Sequence, residues 1–131
     1  MNDDSLLITE KDFLRLQNIL KKIKSPFKEN LEIELDRATI ISEYRVPKNL
    51  ITMNSKVRYR ILPDNVEEVH TLTYPENQGS DAISILDPRG CALLGLSVNQ
   101  KINWMFPDGK TRTIEVLELL YQPEASGNWA L

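Results

Sequence analysis

The stretch that most restricts how this 131-residue chain can fold is Asp87-Pro88-Arg89-Gly90-Cys91-Ala92-Leu93-Leu94-Gly95-Leu96. Between two β-rich halves, a proline, a short apolar turn and a glycine follow in the order of a helix start and stop. Pro88 suits the first helical position, where its missing N–H would be unpaired in any case. Gly95 can adopt the left-handed conformation that closes a helix. The pattern predicts one helical turn clamped onto a sheet, with Cys91, Leu93 and Leu94 facing the sheet and Asp87, Pro88 and Arg89 at an exposed entrance. Taken alone, the motif reads as a packing helix.

Ahead of it, Thr9 is placed to cap a helix whose first turn carries Glu10 and Asp12, where the helix dipole favours acidic groups. Phe13, Leu16, Leu20 and Ile23 follow at coiled-coil spacing, and Ser25-Pro26 ends the helix because the residue before a proline avoids helical geometry. A second helix carries Leu31, Leu35 and Ala38. The short connection predicts an antiparallel hairpin over residues 1–46, with helices of about 14 residues that each reach ~21 Å. Lys24, Ser25, Pro26, Phe27, Lys28 and Glu29 form its tip. The surrounding lysines suit a helix C-terminus as well as they suit any partner.

Val46-Pro47-Lys48-Asn49 reads as the joint to a second unit, residues 50–131. In Lys56 to Ile61 the alternation puts Val57, Tyr59 and Ile61 on one strand face and a basic stripe of Lys56, Arg58 and Arg60 on the other. Such a stripe is most simply a solvated sheet face. Pro63-Asp64-Asn65 turns into a strand from about Glu67 to Tyr74, and His70 within it has no partner at catalytic spacing. Ile102, Trp104 and Phe106 form the apolar face of a later strand, and Pro107-Asp108-Gly109 makes a hairpin turn. In the last strand Ile114 and Val116 are out of phase with Leu117, Leu119 and Tyr121. Either a β-bulge near Val116-Leu117 or burial on both faces reconciles them. The tail from Gln122, with Trp129, is expected to fold back on the sheet.

Charge separates the halves: residues 1–60 hold 12 Lys/Arg against 9 Asp/Glu, and residues 61–131 hold 4 against 10. The basic half suits nucleic acid or an acidic protein surface, whereas the acidic half argues against an independent duplex-DNA binder. No apolar run approaches a membrane span and no signal-peptide start is present, so a cytoplasmic protein with no membrane contact is expected. One cysteine and one histidine exclude a disulfide framework or a zinc site of the usual type. Cys91 reads as a small buried hydrophobe. No nucleophile–base pair, phosphate loop or carboxylate dyad appears, so no catalytic residue, metal or cofactor is assigned.

The motif at 87–95, with Val98-Asn99-Gln100-Lys101 and Pro107-Asp108-Gly109, resembles the C-terminal domain of the Gre transcript-cleavage factors. Asn99 stands where that family usually has glycine; asparagine tolerates the left-handed conformation, so the turn should survive. Thr52-Met53-Asn54-Ser55-Lys56-Val57 and Tyr121-Gln122-Pro123-Glu124-Ala125-Ser126-Gly127 are similar to one branch, the regulators of nucleoside diphosphate kinase, over nearly the whole chain. The resemblance implies an α+β chain: a short N-terminal coiled-coil hairpin, then an FKBP-like antiparallel sheet domain with one short helix. It implies a non-catalytic monomer that binds RNA polymerase near the secondary channel through Asp87, Pro88, Arg89 and Gly90, with a secondary contact to nucleic acid left open. Gre factors carry a longer hairpin with a metal-holding acidic tip; here the tip is short and basic, which implies no stimulation of transcript cleavage. Two alternatives stand beside this: an FKBP-like prolyl isomerase or chaperone, and a direct partner of a nucleoside-metabolism enzyme.

Overall fold

A computed structural model describes residues 7–22, 28–77, 79–106 and 108–128. The N-terminal part runs through a strand Leu7–Thr9 (β1), a helix Glu10–Leu20 (α1), a helix Lys28–Asp36 (α2), a strand Thr39–Ile41 (β2) and a 3-10 turn Glu43–Arg45. Thr9 caps α1 as the sequence predicts: its backbone is extended and its Oγ1 accepts a 3.1 Å hydrogen bond from the Asp12 N–H. After α2, the β-branched run Thr39-Ile40-Ile41 draws the chain into a strand that pairs in parallel with β1. Sequence reading missed this small sheet. Among the described residues the helices hold 11 and 9 residues rather than about 14, lengths of ~16 and ~14 Å.

The second part adds strands Lys56–Leu62 (β3), Val66–Thr73 (β4) and Ala82–Ser84 (β5), a helix Pro88–Leu93 (α3), and strands Lys101–Met105 (β6) and Thr111–Tyr121 (β7). They form one five-stranded sheet in the order β5-β4-β3-β7-β6. The expectation of an antiparallel sheet needs one correction: β5 joins β4 in parallel, Leu72 opposite Ile83, because the loop between them turns the chain back to enter in the same direction. Val57 and Tyr59 are buried as the alternation requires. Opposite β3, the register of β7 shifts between Val116 and Glu118 and again near Leu120, so bulges settle the phase conflict in the last strand. Asn99 takes the left-handed conformation expected of it, with φ 74°.

The basic stripe on β3 is neutralised within the sheet. Arg58 pairs with Glu67 and Glu118, Arg60 with Glu115 and Lys56 with Asp81. This favours the solvated, self-paired face over a polyanion site.

Both parts feed a single core. Leu16 and Leu20 of α1 and Leu31 and Leu35 of α2 lie in the same buried cluster as Met53, Val57, Tyr59, Leu72, Leu93 and Val116. The heptad-like leucines are thus spent on the sheet half as well as on each other. Asp12 ties the seam: its carboxylate accepts from the Met53 N–H at 3.2 Å and from the Tyr74 hydroxyl at 2.8 Å, while Arg15 lies over the Tyr74 ring.

Asp12 is only 3% exposed. Burial pushes its pKa above the ordinary 3.8, the bonds from Tyr74 and Met53 oppose the rise, and the nearby Glu124 carboxylate adds to it. A carboxyl with a raised folded-state pKa holds its proton more tightly when folded, so its contribution is largest below the unfolded value and declines as pH climbs towards the folded one. Asp12→Asn should remove that decline. The stability difference between the native chain and the variant, from urea midpoints over about pH 3 to 7, is expected to shift against the native chain as pH rises and then level off.

Candidate docking site at the α3 entrance

Asp87 caps α3 with extended backbone, its Oδ1 accepting from the Arg89 N–H at 2.9 Å, and Pro88 occupies the first turn. Gly95, at φ 82°, closes the turn, and its N–H donates to the Ile51 carbonyl at 3.0 Å. Gly90 is buried against β5: a Cβ there would stand 2.1 Å from the Ser84 carbonyl oxygen and 3.2 Å from Leu72 Cδ1. Only glycine lets the helix lie this close to the sheet. Cys91 is buried behind it, and burial pushes its thiol up to about 12, which keeps it a protonated packing residue.

The entrance is less open than the sequence suggests. Arg89 Nη1 donates to Glu68 Oε1 at 2.7 Å and its Nε to Asp87 Oδ1 at 3.3 Å, leaving the side chain 30% exposed. Glu68 also lies 2.9 Å from the Tyr59 hydroxyl, which is 2.8 Å from His70 Nδ1. The carboxylate can only accept, so the single hydroxyl proton goes to Glu68 and His70 Nδ1 is the donor to Tyr59. Burial, followed by the bond to Glu68, raises the Tyr59 pKa and keeps the phenol neutral. Asp87, Arg89, Glu68, Tyr59 and His70 therefore form one chain of polar contacts from α3 across β4 to β3. The sequence marks Tyr59 only as an inward strand residue and does not single out Glu68, because their link to Arg89 spans 21 or more residues; the one hint is a carboxylate on the inward phase of β4. Of the six tip residues, Lys24, Ser25, Pro26 and Phe27 lie outside the described residues; Lys28 and Glu29 open α2, Glu29 exposed in its first turn.

The strings at 52–57 and 121–127 meet in space. Thr52 Oγ1 donates to Glu124 Oε1 at 2.7 Å, and the Thr52 N–H donates to Ser55 Oγ at 3.0 Å. Buried Gln122 donates through Nε2 to the carbonyls of Pro47 and Leu50 at 2.8 and 2.6 Å, folding the tail back as far as Asn128. Trp129 lies outside the described residues. Gln122→Ala leaves both carbonyls without that donor and should cost about 2 kcal/mol, seen as a lower urea midpoint with an unchanged slope. Among the described residues no group of three or more His, Cys, Asp or Glu side chains could hold a metal.

Comparison with known proteins agrees with this geometry. Residues 46–121 match the family described as transcription elongation factor GreA/GreB, C-terminal. The chain is 38% identical to the regulator of nucleoside diphosphate kinase of Escherichia coli strain K12, with all of both chains covered. It is 29% identical to transcription elongation factor GreA of Oenococcus oeni over 63% of this chain and 52% of that one. Among solved structures, a GreA/GreB elongation factor from Nitrosomonas europaea superposes with a TM-score of 0.72 at 35% identity, covering 89% of this chain and 98% of the other. A full-length relative, a family domain over more than half the chain and a matching fold all agree: the chain belongs to the regulators of nucleoside diphosphate kinase, a branch of the GreA/GreB-related factors.

Proposed function

We propose that this protein is a non-catalytic regulator of transcription that docks on RNA polymerase near the secondary channel through the α3 entrance, and does not stimulate transcript cleavage. The observation that carries the reading is the match of residues 46–121 to the GreA/GreB C-terminal family, which contains the whole of α3 and its approach. Asp87 and Arg89 supply a fixed charge pair beside Pro88 at the rim of the sheet, and fixed charges give orientation and specificity to a protein contact. Gly90 acts from behind by seating the helix. The second half is FKBP-like in layout, a short helix on a curled sheet, and serves docking rather than isomerase chemistry. In the polymerase complex, α1 and α2 act as a short coiled coil with a basic tip, and that tip provides a secondary contact with nucleic acid. The protein works as a cytoplasmic monomer, and any effect on nucleoside diphosphate kinase follows from transcription.

Because Asp87 caps α3 and Arg89 pairs with Glu68, reversing both charges would disturb the helix itself. Arg89→Gln is the cleaner probe. It should weaken binding to core polymerase about tenfold while shifting the thermal midpoint by only a few degrees, since the side chain is partly solvated. Undiminished binding on an immobilised-polymerase biosensor would remove this surface from the interface.

A further inference from the structure

At the end of α3 remote from Asp87 lies a cleft of about 450 Å³ between α2 and β6. Leu31, Glu34 and Arg37 line one wall at helical spacing, and Lys101, Ile102, Asn103 and Trp104 line the other. Successive residues of a strand point to opposite faces, so a cavity on a face would meet every second one. Four consecutive residues meet this one, which places it along the edge of the strand.

That edge is unpaired among the described residues, because β6 ends the sheet and bonds only to β7. The phase of its ladder is fixed at both ends: the Phe106 N–H donates to the Lys110 carbonyl at 2.9 Å, and the Val116 N–H to the Gln100 carbonyl at 3.0 Å. Bonded residues alternate in an antiparallel pair, so Ile102 and Trp104 spend their backbone groups on β7. Lys101, Asn103 and Met105 turn theirs outward. A row of outward N–H and C=O groups is a template for another strand, and side pockets beside it select that strand's residues. Arg37 and Lys101 make no ion pair within 4 Å among the described residues; Lys101 stands opposite Glu115, which pairs with Arg60, and Glu34 is the one carboxylate on the lining. Among the described residues the buried Trp104 indole N–H finds no acceptor.

The geometry points to a second docking groove, in which an extended acidic peptide from a partner protein adds to β6 and lies between it and α2, its alternating acidic side chains meeting Arg37 on the α2 side and Lys101 on the opposite face. The strand edge supplies affinity without regard to sequence, and the two cations supply the preference for Asp or Glu. This groove is separate from the Asp87 entrance and does not depend on the polymerase reading.

A phage library of random nine-residue peptides, selected on the full chain, tests the groove without assuming a sequence. Acidic, β-branched peptides should be enriched, and a labelled winner should bind with amide shifts centred on Lys101, Asn103 and Met105. Asn103→Pro removes an outward N–H while sparing the β7 ladder and should abolish binding. Arg37→Glu with Lys101→Glu, both away from the core, should weaken the winner about tenfold or more and turn the selection towards Lys and Arg. No enrichment over the Asn103→Pro control, or a winner indifferent to the double reversal, would overturn the assignment. So would concentration-dependent dimerisation abolished by Asn103→Pro, which would give the edge to a second copy of the chain.

Discussion

Added alone to a backtracked elongation complex, the protein is expected to give no transcript cleavage above background. Added with a Gre factor, it should lower that factor's cleavage as its concentration rises. Two physical terms give the first result. The 11 and 9 helical residues described reach ~16 and ~14 Å, well short of the longer hairpin that family resemblance assigns to the cleavage factors. Lys24 and Lys28, which the sequence assigns to the hairpin tip, would also repel Mg²⁺ where carboxylates would coordinate it. The second result follows from the docking proposed for the α3 entrance, which lies within the region 46–121 that matches the GreA/GreB C-terminal family. Cleavage by the protein alone would sink the mechanism, and a Gre factor left uninhibited at saturation would mean that the two do not share a site.

The largest stability effect should come from one methyl group. Gly90→Ala places a carbon 2.1 Å from the Ser84 carbonyl oxygen, a backbone atom fixed by the pairing of β5 with β4. No rotamer relieves the clash, so α3 must lift off the sheet and uncover Leu93, Cys91 and Leu72. Overpacking that moves backbone costs about 3 kcal/mol or more, a fall of roughly 10 °C or more in thermal midpoint for a chain of this size. Gly109→Ala makes the contrast: its Cβ would meet nothing within 4 Å, so only the positive φ of 81° opposes it, at about 1 kcal/mol. Equal midpoints for the two variants would refute the close-approach account of Gly90.

What could be read in advance follows from how local each signal is. The Thr9 cap, the start of α3 at Pro88, its close at Gly95, the left-handed Asn99 and the alternation of β3 each depend on a few neighbouring residues, and the fold keeps all of them. The parallel entry of β5, the pairing of β1 with β2 and the Arg89–Glu68–Tyr59–His70 chain depend on residues brought together from far apart. No local pattern encodes them. The seam of α1 lies between these cases. Its spacing marks the buried leucines, but the same apolar stripe suits a coiled coil or a sheet equally well, and only the core contacts reveal that it packs into the core of the sheet.

Because Asp12 joins α1 to the Met53 turn and to Tyr74, and the leucines of both helices share the core of the sheet, the described residues of the two halves are packed as one body. The helices leave the sheet at an angle set by side-chain packing, as the arm of a bracket is set by its weld. Any partner that grips α3 therefore also dictates where α1 and α2 point. The bearing of the arm is inherited from the grip, without a separate step to find it.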